Sequence, residues 1–188
     1  MGRWEPNARG RLERAALDLY GERGFEKTTV AEIAARAGVT ERTYFRHFTD
    51  KREVLFSGTV DLQAMLTGAV AAAPASATPL EATATGLETI GGVFLGARAR
   101  SRRRQAVIQA NPELRERELI KMAAFAKALA ETLRERGVRD PAAALTAETG
   151  IAVFKIAFER WLDGSADREL PDFIRESLAA LKALTSGA

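Results

Sequence analysis

TTVAEIAARAGVTERTYFRHFTDK, residues 28–51, decides the fold of this chain, because it sets two short helices around a glycine turn. Thr29 followed three residues later by Glu32 is a capping box: the hydroxyl accepts from a helix-end N–H while the carboxylate reaches back to the cap. The box predicts a helix from Val30. Val30, Ile33, Ala34 and Ala37 fall on one face of it, and Gly38 stands where a chain leaving a helix often takes positive φ. Thr40 then N-caps a second helix over residues 41–48, and Asp50 with Glu53 repeats the capping-box spacing at the start of a third.

Val39, Phe45 and Phe48 are the residues expected to turn the second helix toward a core, with one of Tyr44 and Phe45 sufficient to do so. That leaves Glu41, Arg42, Thr43, Tyr44, Arg46 and His47 facing outward. The first turn of such a helix reaches base edges in the major groove, where Arg42 can address guanine O6 and N7 and Glu41 can accept from cytosine N4. Tyr44 or Thr43 can touch a thymine methyl or a phosphate. Arg46, His47 and Lys51 follow nearer the groove wall, where phosphate contact fixes register without reading sequence. Thr28 and Thr29 add hydroxyls beside free helix-end N–H groups, although a cap is the commoner role of such a threonine. Arg3, Arg9 and Arg11 precede or open the first helix and can form a phosphate or minor-groove arm or simply fray.

Three segments carry a family resemblance: LYGERGFEKTTV at 19–30, AEIAARAGV at 31–39 and TERTYFRHFTDKREVLF at 40–56. Residues 9–56 resemble the DNA-binding domain of the TetR family of bacterial transcriptional regulators. The resemblance implies that Thr40 to His47 are the recognition helix, that Glu41, Arg42 and Tyr44 are base readers, and that Thr29, His47 and Lys51 anchor the DNA backbone. It further implies a homodimer on a palindromic double-stranded operator and a small-molecule effector.

Length and composition bound the rest. A chain of 188 residues, 46% hydrophobic, can form one substantial core or two small ones. The chain has no cysteine, so disulfides and thiol chemistry are excluded. MGRWEPNARGRLERAALD has no apolar signal core and no run of about 18 apolar residues follows, so a cytoplasmic protein without a membrane span is expected. The net charge of +3 favours anionic partners only weakly. His47 is the sole histidine, and there is no glycine-rich phosphate loop, metal-ligand spacing or nucleophile elbow, so neither enzyme, metal nor cofactor is expected. A helical lipid or small-molecule carrier that has kept the fold without DNA binding is the alternative.

Beyond residue 50 the chain reads as helix after helix, so the expected class is all-α: a three-helix helix-turn-helix domain over 1–56, then a helical effector-binding and dimerisation domain over 57–188. The third helix is expected to run to about residue 70, where GAVAAAPASATP marks a joint between the domains. Thr78, Pro79 and Glu81 open the next helix, expected to reach Arg98. Asn111–Pro112 opens another that ends at Gly137, Asp140–Pro141 one that ends near Gly164, and a last follows Pro171. Leu145, Ile151, Trp161, Phe173, Ile174, Leu178 and Leu181 make apolar faces on the final two helices, assigned to a two-fold four-helix interface over burial within one chain.

Ile90, Phe94, Ile108, Met122 and Phe125, with Phe154 and Phe158, are the expected walls of an effector pocket. Glycines at 86, 91, 92 and 96 point to close approach of a helix or ligand. The run RARSRRR at 98–104 reads as a solvated helix end or loop, a phosphate contact near DNA or the cradle of an anionic effector. Beside an apolar cavity such a cradle suits an amphipathic anion of the acyl-CoA kind, and the PELRER segment at 112–117 is similar to family branches with such ligands.

Overall fold

A computed structural model describes residues 7–165 and 167–185. Among them nine α-helices form: α1 (Ala8–Arg23), α2 (Val30–Arg36), α3 (Glu41–His47), α4 (Thr59–Ala72), α5 (Pro79–Gly92), α6 (Arg98–Ala110), α7 (Pro112–Glu135), α8 (Ala142–Asp163) and α9 (Leu170–Thr185). A 3-10 turn, Glu53–Phe56, lies between α3 and α4. The chain divides into two compact units, residues 1–58 with 102–117, and residues 59–101 with 118–188. The segment 102–117 thus joins the first unit, which a division at residue 56 does not include.

The first unit begins with Asn7, whose side chain accepts from the amide of Gly10 and caps α1. The capping box of α2 forms as its spacing predicts: the amide of Glu32 donates to Thr29 Oγ1 at 3.2 Å and the amide of Thr29 donates to Glu32 Oε2 at 2.9 Å. That pair of hydrogen bonds, with Arg23 nearby, holds the Glu32 carboxyl below its ordinary range. Gly38 takes φ of +66°, the left-handed geometry that lets the chain turn from α2 into the Thr40 cap. Leu12, Ala16, Leu19, Ile33, Tyr44 and Phe48 close the core, and Val107, Ile108 and Leu114 from the 102–117 segment belong to it.

The third helix does not run on to residue 70. Gly58, at φ +80°, separates the 3-10 turn from α4. The stretch Glu53–Ala72 has the hydropathy of a membrane span, but the break leaves α4 with 14 residues, about 21 Å of helix at 1.5 Å per residue, short of a hydrocarbon core of about 30 Å.

In the second unit α4 packs on α5, α8 on α9, and α5 against both α8 and α9. GAVAAAPASATP is not a joint between domains. It is the α4–α5 connection inside this unit, and the Arg136 guanidinium donates to the carbonyls of Ala71, Ala73 and Pro74 at 3.1, 2.7 and 2.8 Å. A cation at the carbonyl end of α4 satisfies acceptors that the helix itself leaves orphaned. Thr78 and Glu81 form a second complete capping box.

α5 ends at Gly92, not near Arg98, and the arginine run starts a new helix. Two of the α5 glycines are explained by helix packing. A Cβ on Gly86 would stand 2.7 Å from Val70 Cγ2 and 3.0 Å from the Leu66 carbonyl, and one on Gly91 would stand 2.8 Å from Ile174 Cδ1. Gly86→Ala must push α4 away, because one of the atoms it meets is backbone. We expect a loss of about 1–3 kcal/mol, read by urea denaturation, whereas Gly68→Ala, with nothing within 4 Å of the added methyl, should stabilise by about 0.5–1 kcal/mol.

Candidate nucleic-acid interface and effector cluster

Two tyrosine hydroxyls fix how α3 is turned. Tyr44 is fully buried and donates to the Asp50 carbonyl at 2.9 Å; Tyr20, from α1, donates to the adjacent Lys51 carbonyl at 2.5 Å. Burial, with the nearby Asp50 carboxylate, pushes both phenols above their ordinary range, so they remain donors. Tyr44 therefore turns inward, away from the outward face of α3 on which a base reader is expected. Its neighbour Phe45, expected inside, stands 54% exposed. The aromatic pair is rotated by one residue from the sequence reading, and the Asp50 carbonyl satisfies the hydroxyl that Tyr44 carries into the core.

The outward face of α3 presents Glu41, Arg42, Phe45 and Arg46 to solvent. Thr40 is the N-cap, its Oγ1 accepting from the amide of Thr43, and Thr43 itself is half-buried. Other arginines of this unit have acidic partners: Arg23 lies 2.7 Å from Glu32, Arg36 bonds both carboxylate oxygens of Glu22 at 3.0 and 2.9 Å, and Arg52 lies 3.2 Å from Glu113. Glu22 is held below its ordinary range by Arg36. Among the described residues Arg42 and Arg46 form no ion pair, so two guanidiniums on one short helix are available to an outside anion.

The backbone-anchor residues divide. Thr29 is exposed at the α2 start, with its hydroxyl held to Glu32. Thr28 is 1% exposed and donates to the carbonyls of Gly24 and Leu19, a buried turn contact. His47 is half-buried, with a buried Nε2 that has no partner. Lys51 directs its ammonium to the carbonyls of Phe25, Glu26 and Thr28 at 2.9, 3.1 and 3.3 Å and sits 4.4 Å above the Phe25 ring. All three of its donors hold the α1–α2 connection. Arg9 donates to Ser57 Oγ and Arg11 to the Ala37 carbonyl, while Arg3 lies outside the described residues.

The arginine run is divided between the two units. In the second, Arg98 donates to the carbonyls of Gly164, Ser165 and Arg168 and stacks 5.4 Å from the Trp161 ring. In the first, Arg103 pairs with Asp18 at 2.9 Å, and Arg104 donates to the Leu55 carbonyl at 2.6 Å and covers Phe56. The run opens α6 at its N-terminus, where Arg100, Arg102 and Arg103 stand exposed.

Of the expected pocket walls, Ile90, Met122 and Phe125 are buried in the second unit's core. Phe94, Phe154 and Phe158 are half-buried and cluster with Trp161, ring centroids 5.5–6.4 Å apart. Ile108 is enclosed in the first unit's core, apart from this aromatic cluster in the second. Trp161 is fully buried, and its Nε1–H has no acceptor. Of the residues assigned to an interface, Ile151, Trp161, Phe173, Ile174 and Leu178 lie inside their own unit's core and Leu181 packs against it. Leu145 is 63% exposed. Ile156 on α8, an apolar position that sequence reasoning passed over, is exposed, as is Leu184 on α9; periodicity alone does not separate them from the core stripe beside them.

The architecture is that of a helix-turn-helix protein with an all-helical second unit. Residues 13–57 match the bacterial regulatory proteins of the tetR family, and residues 96–186 match the MftR C-terminal domain. The chain belongs to the TetR family. It is 39% identical over 74 residues to the HTH-type transcriptional regulator TcmR of Streptomyces glaucescens, covering 39% of this chain and 33% of that protein. The match thus spans only about a third of that relative's length. Among solved structures, FadR of Thermus thermophilus, a TetR-family transcriptional repressor in complex with lauroyl-CoA, is 27% identical, with 92% of each chain covered and a TM-score of 0.51. FadR of Bacillus subtilis in complex with stearoyl-CoA is 19% identical over 92% of this chain and 96% of that one, with a TM-score of 0.63.

Lys51→Ala should lower the stability of the first unit by about 1.5–3 kcal/mol, the loss of charge-assisted hydrogen bonds, measured by thermal melting. It should leave the salt dependence of DNA binding unchanged; a slope flattened by about one would instead mark a phosphate contact.

Proposed function

We propose that this chain is a one-component transcriptional repressor that binds a palindromic operator as a homodimer and leaves it when a small molecule enters the second unit. The observation that carries the reading is the outward face of α3, where Glu41, Arg42 and Arg46 stand exposed on a helix-turn-helix. Arg42 and Glu41 on its first turn read base edges, Arg42 bidentate to guanine. Arg46, Thr29, Thr40 and Thr43 meet the sugar-phosphate backbone.

One recognition helix reads too little sequence to select a genomic site, so two-fold pairing is part of the proposal. Leu145, Ala152 and Ile156 form an exposed stripe on α8, and Ala179, Ala180, Ala183 and Leu184 an exposed small and apolar face on α9. Such faces suit two-fold helix packing. Leu145→Glu with Ile156→Glu, both at exposed positions, should leave the chain folded by circular dichroism and shift it to monomer in sedimentation equilibrium.

For the effector, Phe94, Phe154 and Phe158 supply an apolar surface and the unpaired Trp161 Nε1–H a donor, since a buried polar group without a partner calls for an explanation. The lauroyl-CoA and stearoyl-CoA complexes of the two FadR proteins support an acyl-CoA-like effector. Binding would favour a dimer whose recognition helices are no longer about 34 Å apart, and release follows only to the extent of the affinity difference between states.

Selection of sheared genomic DNA on the purified protein tests the regulator. Fragments sharing a palindrome with half-sites about one turn apart are expected, and Arg42→Ala should weaken binding by about 1–3 kcal/mol while relaxing one base pair per half-site. Lauroyl-CoA should raise the melting temperature and release the selected DNA. Retention of no sequence even at low salt would overturn the proposal and favour a small-molecule carrier.

A further inference from the structure

Phe45 is the large apolar side chain on a helix face otherwise made of Glu41, Arg42 and Arg46, and it is 54% exposed. It is also held in place. Its ring meets Tyr44 edge-on, centroids 5.5 Å apart at 80°, and Tyr44 in turn packs on Phe48 at 5.6 Å and is tied through its hydroxyl to the Asp50 carbonyl. The edge-to-face contact therefore braces an exposed ring against an immobile one. Spacing places Phe45 one turn from both Arg42 and Glu41, so the three side chains share a face of α3. An exposed phenyl ring gains nothing from water, whereas a braced ring on a groove-facing helix presents apolar area at little entropic cost.

We propose that Phe45 is a specificity-determining residue that recognises the 5-methyl group of one thymine in each operator half-site. This rests on the DNA-binding reading above and deepens it. The major groove offers a single apolar group, the thymine methyl, and a phenyl side chain has no hydrogen-bonding group with which to address any other base edge. Arg42 and Phe45 then read neighbouring positions by different chemistry: a guanidinium for guanine acceptors, a ring for a methyl. Tyr44, buried and hydrogen-bonded, leaves this position of the helix to Phe45.

The test uses the full chain and the operator obtained by selection, with each thymine of the half-site replaced in turn by deoxyuridine, which removes only the methyl. For the wild-type chain one thymine position should weaken binding about fourfold when replaced in a single half-site, the worth of one buried methyl, and about fifteenfold when replaced in both. For Phe45→Ala the same substitution should have no effect, and Phe45→Leu, which keeps apolar contact, should recover most of the discrimination. Both variants should keep the wild-type salt slope and melting behaviour, since the ring carries no charge and its removal opens no cavity in the core. The proposal is overturned if every thymine-to-deoxyuridine change costs wild type and Phe45→Ala alike, or if the half-site has no thymine. Failure of the wild-type chain to select any sequence overturns the DNA-binding reading with it, and that outcome is visible before any variant is made.

Discussion

The hydroxyl of Tyr44 sets which residues of α3 face outward from the first unit. A buried phenol with no acceptor would lose the hydrogen bond it makes in water, at a cost of about 1–3 kcal/mol, so the ring can enter the core only where a carbonyl waits for it. The Asp50 carbonyl is that acceptor, and Tyr20 takes the next one along, so two side chains from different helices grip consecutive peptides of one loop. Asp50 then uses its own carboxylate to accept from the amides of Arg52 and Glu53, and Lys51 reaches to the α1–α2 turn. Rotation of α3 about its axis is thereby fixed from behind. Glu41, Arg42, Phe45 and Arg46 are outward because Tyr44 is inward.

That coupling explains which parts of the sequence could be read directly. The two threonine–glutamate capping boxes, the glycine turn at Gly38 and the starts of α2, α3, α5 and α7 depend on residues within four positions of one another, so local spacing located them. The rotation of α3 depends on an acceptor six residues away and a tyrosine on another helix. Tyr44 and Phe45 are adjacent aromatics of similar apolar area, and nothing local distinguishes which one the core will take. The same holds for Lys51, whose partners lie 23 to 26 residues back along the chain. Its charge suggested a phosphate, but three backbone carbonyls at a turn offer a cation the same kind of electrostatic partner.

The second unit shows the limit of periodicity in another way. On α8 the residues Ile151, Val153, Ala157 and Trp161 are buried while Leu145 and Ile156 are not, though all are apolar. A helix with apolar residues around most of its circumference gives no amphipathic stripe from which to separate a chain's own core from a partner surface. The sequence reading placed most of the interface on residues that in fact close the monomer core. Gly86 was legible in part: four glycines within one segment signalled close approach, and at this one the neighbour is α4.

The arginine run brings these constraints together. Five guanidiniums within seven residues repel one another, and at the start of α6 they also oppose the positive end of the helix dipole, so the position is unfavourable unless each charge meets an acceptor elsewhere. For Arg98, Arg103 and Arg104 the structure supplies acceptors on other elements. Three carbonyls of the α8–α9 connection take Arg98 in the second unit, and Asp18 and the Leu55 carbonyl take Arg103 and Arg104 in the first. The boundary between the two units falls after Ser101, inside the run itself. A charge cluster that looks like one binding patch in sequence is thus resolved into separate contacts, each repairing a local deficit of donors. The guanidiniums without such a partner among the described residues include Arg42 and Arg46 on α3, and that difference in satisfaction, more than the density of positive charge, is what sets the outward face of α3 apart from the arginine run.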